Sequence, residues 1–159
     1  MTTNIRPGFT LVELLVVIAI LAILSTLGIT NFQSTRIKAR DLSRKSDLQT
    51  IAKSLEAYVN DHRTYPLSDA SGKIICQPAT STICDWGAIF SDGTTTYAVT
   101  LPQEPSSTLA YRYVSTGSSY TLYAHLENPQ DPALTTFSPV VYCGGTNLCN
   151  YKTTSSNLP

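Results

Sequence analysis

Charge is scarce in this chain, and between Phe9 and Ile29 it is almost absent. Only 14% of the 159 residues are Asp, Glu, Lys or Arg, and the net charge is zero. A near-neutral pI of 6.7 excludes binding to nucleic acid through bulk positive charge. Histidine occurs twice, at His62 and His125, far apart in sequence. No Gly-x-Ser-x-Gly, His-Glu-x-x-His or P-loop pattern is present. The chain is therefore not expected to be an enzyme, and no cofactor or metal is expected. Cysteine is missing from the first 75 residues and occurs only at Cys76, Cys84, Cys143 and Cys149. A hydrophobic content of 42% excludes wholesale disorder.

The few charges are unevenly placed. Residues 1–53 carry seven basic and three acidic side chains, while residues 54–159 carry four and eight. Two parts with different surroundings are expected. The basic residues have no aromatics between them, so no nucleic-acid partner is expected.

What the chain does have is a long apolar run, FTLVELLVVIAILAILSTLGI, from Phe9 to Ile29. Its length suits a helix that spans the hydrocarbon core, about 20 residues at about 1.5 Å each. A buried core helix would carry a polar face, and this run is apolar all round apart from Glu13 and Ser25-Thr26. A cleaved secretory signal would be shorter and followed by a small-residue cleavage site, which "STLGITNFQ" does not supply. Glu13 is the anomaly. An acid at mid-bilayer costs about 2.5–3.5 kcal/mol and normally faces a partner. No basic side chain lies within a helical turn or two of it in sequence.

Gly8-Phe9-Thr10-Leu11-Val12-Glu13, followed by a span-length apolar run, resembles the processing and methylation motif of type IV pilins and type II secretion pseudopilins. The resemblance implies cleavage between Gly8 and Phe9 by a prepilin peptidase and N-methylation of Phe9. It implies a leader at 1–8, a transmembrane and filament-core helix at 9–29, an amphipathic continuation at 30–61 and a globular head at 62–159. It also supplies the missing cation: Glu13 would pair with the new amine on Phe9 of a neighbouring subunit. Such a pair is costly to separate in an apolar bundle and rewards one register. The family further implies self-association into a helical filament, an inner-membrane platform protein, an assembly ATPase, and contact with membrane lipid before assembly. The basic residues Arg36, Lys38, Arg40, Arg44 and Lys45 would place their side in the cytoplasm by the positive-inside rule. The family places it outside, a single pass through the inner membrane, and the cysteines favour the same side.

Helical periodicity continues past the apolar run. Leu48, Ile51, Ala52, Leu55, Tyr58 and Val59 fall on one face, and Asn60-Asp61 with Pro66 ends the helix near residue 61. The charged stretch "RIKARDLSRKSD" reads as a solvated face with local Arg–Asp pairs, or as contacts with acidic neighbours or lipid headgroups. Many relatives carry a proline near the end of the apolar run. Here "LGITNF" has none, and Gly28, Thr30 and Asn31 are the weak helix formers.

In the head, residues 66–96 read as a polar connection with a short helical turn at 85–90. "LAYRYVS" at 109–115 and "SYTLYAHLE" at 119–127 flank Thr116-Gly117-Ser118 as strand–turn–strand, and "PVVYC" at 139–143 reads as a third strand. The fold class is α+β: a long N-terminal helix against a small antiparallel sheet, pilin-like and closest to the major pseudopilin branch. Four cysteines allow three pairings, and the local spacings favour Cys76–Cys84 and Cys143–Cys149. Their C-x7-C and C-x5-C spacings are not usual for zinc. Some pseudopilins bind calcium in a late loop, but the segment "YCGGTNLCNYKTTSSNLP" has no acid, so calcium is not carried over. The expected function is a structural subunit of a type IV pilus-like filament, most simply a secretion pseudopilus. The alternative is a membrane-anchored adhesin or DNA-binding minor pilin acting through its head.

Overall fold

The computed structural model describes residues 8–155, with the side chains of 26–31 excepted. One helix, α1 (Leu11–His62), leads into seven short strands: β1 (Ile74–Gln77), β2 (Thr82–Cys84), β3 (Phe90–Ser91), β4 (Thr96–Ala98), β5 (Arg112–Ser115), β6 (Tyr120–Ala124) and β7 (Tyr151–Thr154). The backbone is helical without interruption through 27–31. The residues divide into two compact units, 1–37 and 38–159.

In the first unit, the described side chains of Leu11 to Leu24 leave large apolar surface exposed. Leu11, Leu14, Leu15, Ile18 and Leu21 are all more than half exposed. Among the described residues no helix is long and apolar enough to cross a membrane. The span expected at 9–29 runs into 26–31, whose side chains lie outside the described residues.

In the second unit, the apolar face read from the sequence becomes the core. Leu48, Ile51, Leu55 and Tyr58 are buried against Tyr65, Ile74, Phe90, Leu101, Tyr111, Tyr113, Tyr120 and Leu122, with Ala52 and Val59 partly buried beside them. Each fully buried aliphatic side chain contributes roughly 1.5–3 kcal/mol. The helix stops one residue beyond the expected place. Arg63 adopts a positive φ of 63° and its N–H donates to Val59 O at 2.8 Å, an αL cap made without glycine.

β5, β6 and β7 form an antiparallel sheet in that order, with Arg112 opposite Tyr123 and Tyr123 opposite Lys152. The β5–β6 hairpin lies where the sequence placed it, and Gly117 takes a positive φ of 86° in its turn. The third strand does not. Residues 139–143 make only the bridge Tyr142–Leu148, and β7 occupies the free edge of β6. Pro139 lacks an N–H, and the carbonyl of Val141 and the N–H of Cys143 are already bonded to 147–149, closing a small loop. Residues 66–96 are not a plain connection either. They form two further antiparallel pairs, β1–β2 and β3–β4. The expected helical turn at 85–90 is a tight turn at Trp86-Gly87, with Gly87 at φ 83° and its N–H donating to Leu101 O. Strands of two to four residues are too short to show alternation in sequence. Cys76 is bonded to Cys84, and Cys143 to Cys149.

The reading of the basic stretch as solvated is corrected. Arg44 and Asp41 are buried, at 0% and 2% exposure. They do form the expected local pair, Nη1 to Oδ1 at 2.8 Å. However, Arg44 also donates to Glu104 from Nε (2.9 Å) and Nη2 (2.7 Å), and to Glu127 at 2.6 Å. Arg40 pairs with Glu127, and Lys45 with Asp131 at 2.7 Å. Asp41 accepts the backbone N–H groups of Glu127 and Asn128. Charges of α1 thus hold two loops of the head: Arg40, Arg44 and Lys45 are ion-paired within the chain itself, while Arg36 lies over the Phe32 ring at 4.3 Å. Burial works against the charge on Arg44. Hydrogen bonds to Glu104 and Glu127 outweigh it and leave its pKa above the ordinary value.

Tyrosines satisfy the other carboxylates of this helical stretch. Tyr111 OH donates to Asp47 at 2.6 Å, and Tyr65 OH to Glu56 at 2.9 Å. Burial, then the neighbouring Asp47, raises the pKa of Tyr111, so the phenol stays a donor. None of the described side chains leaves a buried polar atom without a partner.

Glu127 makes this cluster sensitive to acid. The hydrogen bond from Arg40, against some burial, lowers its pKa from 4.5 to about 2. A depressed carboxylate stabilises the fold fully above its unfolded pKa. That contribution is lost as pH falls from about 4.5 toward about 2. Thermal melting followed by circular dichroism is expected to fall across that window. Glu127→Gln should lower the neutral-pH midpoint and flatten the dependence. An identical pH slope in the variant would remove Glu127 from the account.

Candidate functional site: the N-terminal processing and assembly segment

Gly8, Phe9 and Thr10 precede the helix without regular structure. Its chain neighbours apart, no described residue lies within 4 Å of the position a Cβ on Gly8 would take. Phe9 is 79% exposed. The Gly8–Phe9 peptide bond is therefore presented in irregular backbone ahead of the first turn. Residues 1–7 of the expected leader lie outside the described residues.

The helix starts at Leu11 for a local reason. Thr10 is the N-cap and Glu13 the third helical residue, and the two side chains form a reciprocal capping box. Glu13 N–H donates to Thr10 Oγ1 at 3.3 Å, while Thr10 N–H donates to Glu13 Oε2 at 2.9 Å. Thr10 Oγ1 also donates to Oε2 at 2.7 Å. This answers part of the question raised by the lone acid. Within one chain the carboxylate has a partner, though a neutral one. The signal was legible as Thr-x-x-Glu before an apolar run, and the sequence reading missed it. The carboxylate also lies at the positive end of the helix macrodipole.

Phe9 and Glu13 share one helix start and are surrounded by exposed Leu11, Val12 and Leu14. Cys76, Cys84, Cys143 and Cys149 belong to the other unit, where they close two head loops. His62 stacks on Tyr58 at 4.1 Å and bonds Asp92 at 2.7 Å, whereas His125 Nδ1 donates to Leu148 O at 2.6 Å. The two histidines thus have separate structural partners. Among the described residues no group of three or more His, Cys, Asp or Glu could hold a metal ion.

The segment is thus an exposed apolar helix opened by the Thr10–Glu13 capping box and preceded by an irregular Gly8–Phe9 junction. Residues 4–29 match the prokaryotic N-terminal methylation motif. The chain is similar to type II secretion system core protein G of Dickeya chrysanthemi, 33% identical over 47% of this chain and 50% of that protein. It is similar to the type IV wide pilus major component PilA4 of Thermus thermophilus, 41% identical over 40% of this chain and 49% of that protein. A longer match, 28% identical over 74% of this chain and 76% of the relative, is to core protein G of Vibrio cholerae. The chain spans about half the length of most of these curated relatives. No solved structure matches it. The similarity is thus to pseudopilins and a pilin, and the matched motif lies at the N-terminal end of the described helix.

Proposed function

We propose that this chain is a structural subunit of a type IV pilus-like filament, and specifically of a type II secretion pseudopilus. The observation that carries the reading is the exposed Gly8–Phe9 junction beside a capped Glu13 on an all-round apolar helix. A prepilin peptidase cuts after Gly8 and the amine of Phe9 is methylated. Before assembly the apolar helix lies in the inner membrane as a single pass, with the head outside the cytoplasm. During assembly it exchanges lipid for neighbouring helices, and Glu13 turns from Thr10 to the ammonium of the next subunit's Phe9. A platform protein and an assembly ATPase supply the site and the work of extraction. Two disulfides suit a head folded in an oxidising compartment.

Mass spectrometry of the protein from its native membrane tests the first step. The expected N-terminus is N-methylated Phe9. An intact Met1 would instead favour a retained anchor that displays the head as an adhesin or DNA-binding module.

A further inference from the structure

The solvent face of the β5–β6–β7 sheet has an unusual composition. Register places Arg112, Tyr123 and Lys152 in one row, and Val114, Thr121 and Thr154 in the next. Neither row contains an acid, and none occurs in 105–126 or 132–159. Lys152 Nζ lies 5.7 Å from the ring centre of Phe137, which packs edge-on against Tyr123.

Beside this face runs the extended segment 139–142. Between them is a groove of about 300 Å³ lined by Arg112, Val114, Tyr123 and residues 139–142. Val114, Val140 and Tyr142 are 41%, 56% and 49% exposed. The backbone of this segment is half used. Val141 O accepts from Cys149 N–H, and Cys143 N–H donates to Asn147 O. In extended chain, successive residues turn their N–H and C=O groups to opposite sides. The groups of Val140 and Tyr142 therefore point away from 147–149, and among the described residues they have no partner. The segment is an open strand edge held in place by the Cys143–Cys149 loop.

We infer that this groove binds an extended segment of a partner polypeptide in which carboxylates alternate with apolar side chains. The open edge of Val140 and Tyr142 supplies main-chain hydrogen bonds, the strand-addition mode of peptide recognition. Period-two alternation sends every second side chain of the guest down onto Val114 and Tyr123. The cations Arg112 and Lys152, with no opposing acid on the face, select carboxylates. A single-stranded nucleic acid would also meet cations and an aromatic ring. It has no amide row to complete an open strand edge, so the exposed backbone favours a peptide.

The test uses the full chain in detergent micelles and fluorescently labelled octapeptides followed by anisotropy. The probes are an alternating Asp–Val peptide, its Lys–Val counterpart, the Asp–Val peptide with alternate amides N-methylated, and an oligothymidylate. The Asp–Val peptide is expected to bind at least about tenfold more tightly than the other three. Arg112→Gln, which keeps the methylene stem packed over Gly72, is expected to weaken it about tenfold. Val114→Glu, at an exposed position, should weaken it at least as much and decides the matter if Arg112→Gln melts early. Absence of binding at millimolar peptide would overturn the inference. So would equal binding of the acidic and basic peptides, indifference to N-methylation or to both substitutions, or tighter binding of the oligothymidylate.

Discussion

Replacing Arg44 with leucine is expected to cost about 3–5 kcal/mol of stability in the unit that holds the head. The guanidinium is 0% exposed and serves three carboxylates. Leucine would leave Asp41 and Glu104, both nearly fully buried, facing each other without the cation between them. Desolvated like charges are worse than a cavity, so the loss should exceed that of Leu48→Ala in the adjacent core, about 2–5 kcal/mol, or at least match it. Urea unfolding followed by circular dichroism would measure it. A triple variant, Arg44→Met with Asp41→Asn and Glu104→Gln, should recover much of the loss, because it removes the unpaired charges as well. If Arg44→Leu cost under about 1 kcal/mol, the cluster would rank with surface ion pairs instead.

Glu13→Val is expected to abolish filaments while leaving membrane insertion and leader cleavage intact. Two losses are combined in that variant, the charge and the capping box with Thr10. Glu13→Gln separates them, since glutamine can occupy the third position of a capping box but carries no charge. If pairing with the Phe9 ammonium sets the register, Gln should fail nearly as completely as Val. If the cap alone matters, Gln should assemble. Electron microscopy of sheared filaments and immunoblots for cleaved subunit read the two steps independently. Normal filaments from Glu13→Val would refute the assembly role outright.

The legible parts of the fold were those governed by local pattern. The apolar face Leu48–Val59 was visible because helical period repeats over three turns, and it became the core. The β5–β6 hairpin was visible because two Tyr-rich runs flank a turn containing Gly117. The two disulfides joined the nearest cysteines, as short loops favour. β7 was missed because "YKTT" has no apolar alternation, and its position depends on the free edge of β6 some thirty residues earlier. The small sheets β1–β2 and β3–β4 were missed because a strand of two or three residues carries no period.

The basic stretch 36–45 marks the boundary between the two kinds of information. Its charge count alone described a solvated helix face. Which of its cations are exposed depends on acids about sixty and eighty-three residues away, at Glu104 and Glu127. The sequence by itself determined the N-terminal segment, because a Gly–Phe junction, a cap, one acid and an apolar run all lie within a few helical turns. It also determined that a helical face would be covered. Tertiary structure alone decided what covers it, which charges are buried, and that the edge of 139–142 stays open. Those outcomes depend on long-range pairing, where a residue's partner is set by the path of the whole chain and not by its neighbours.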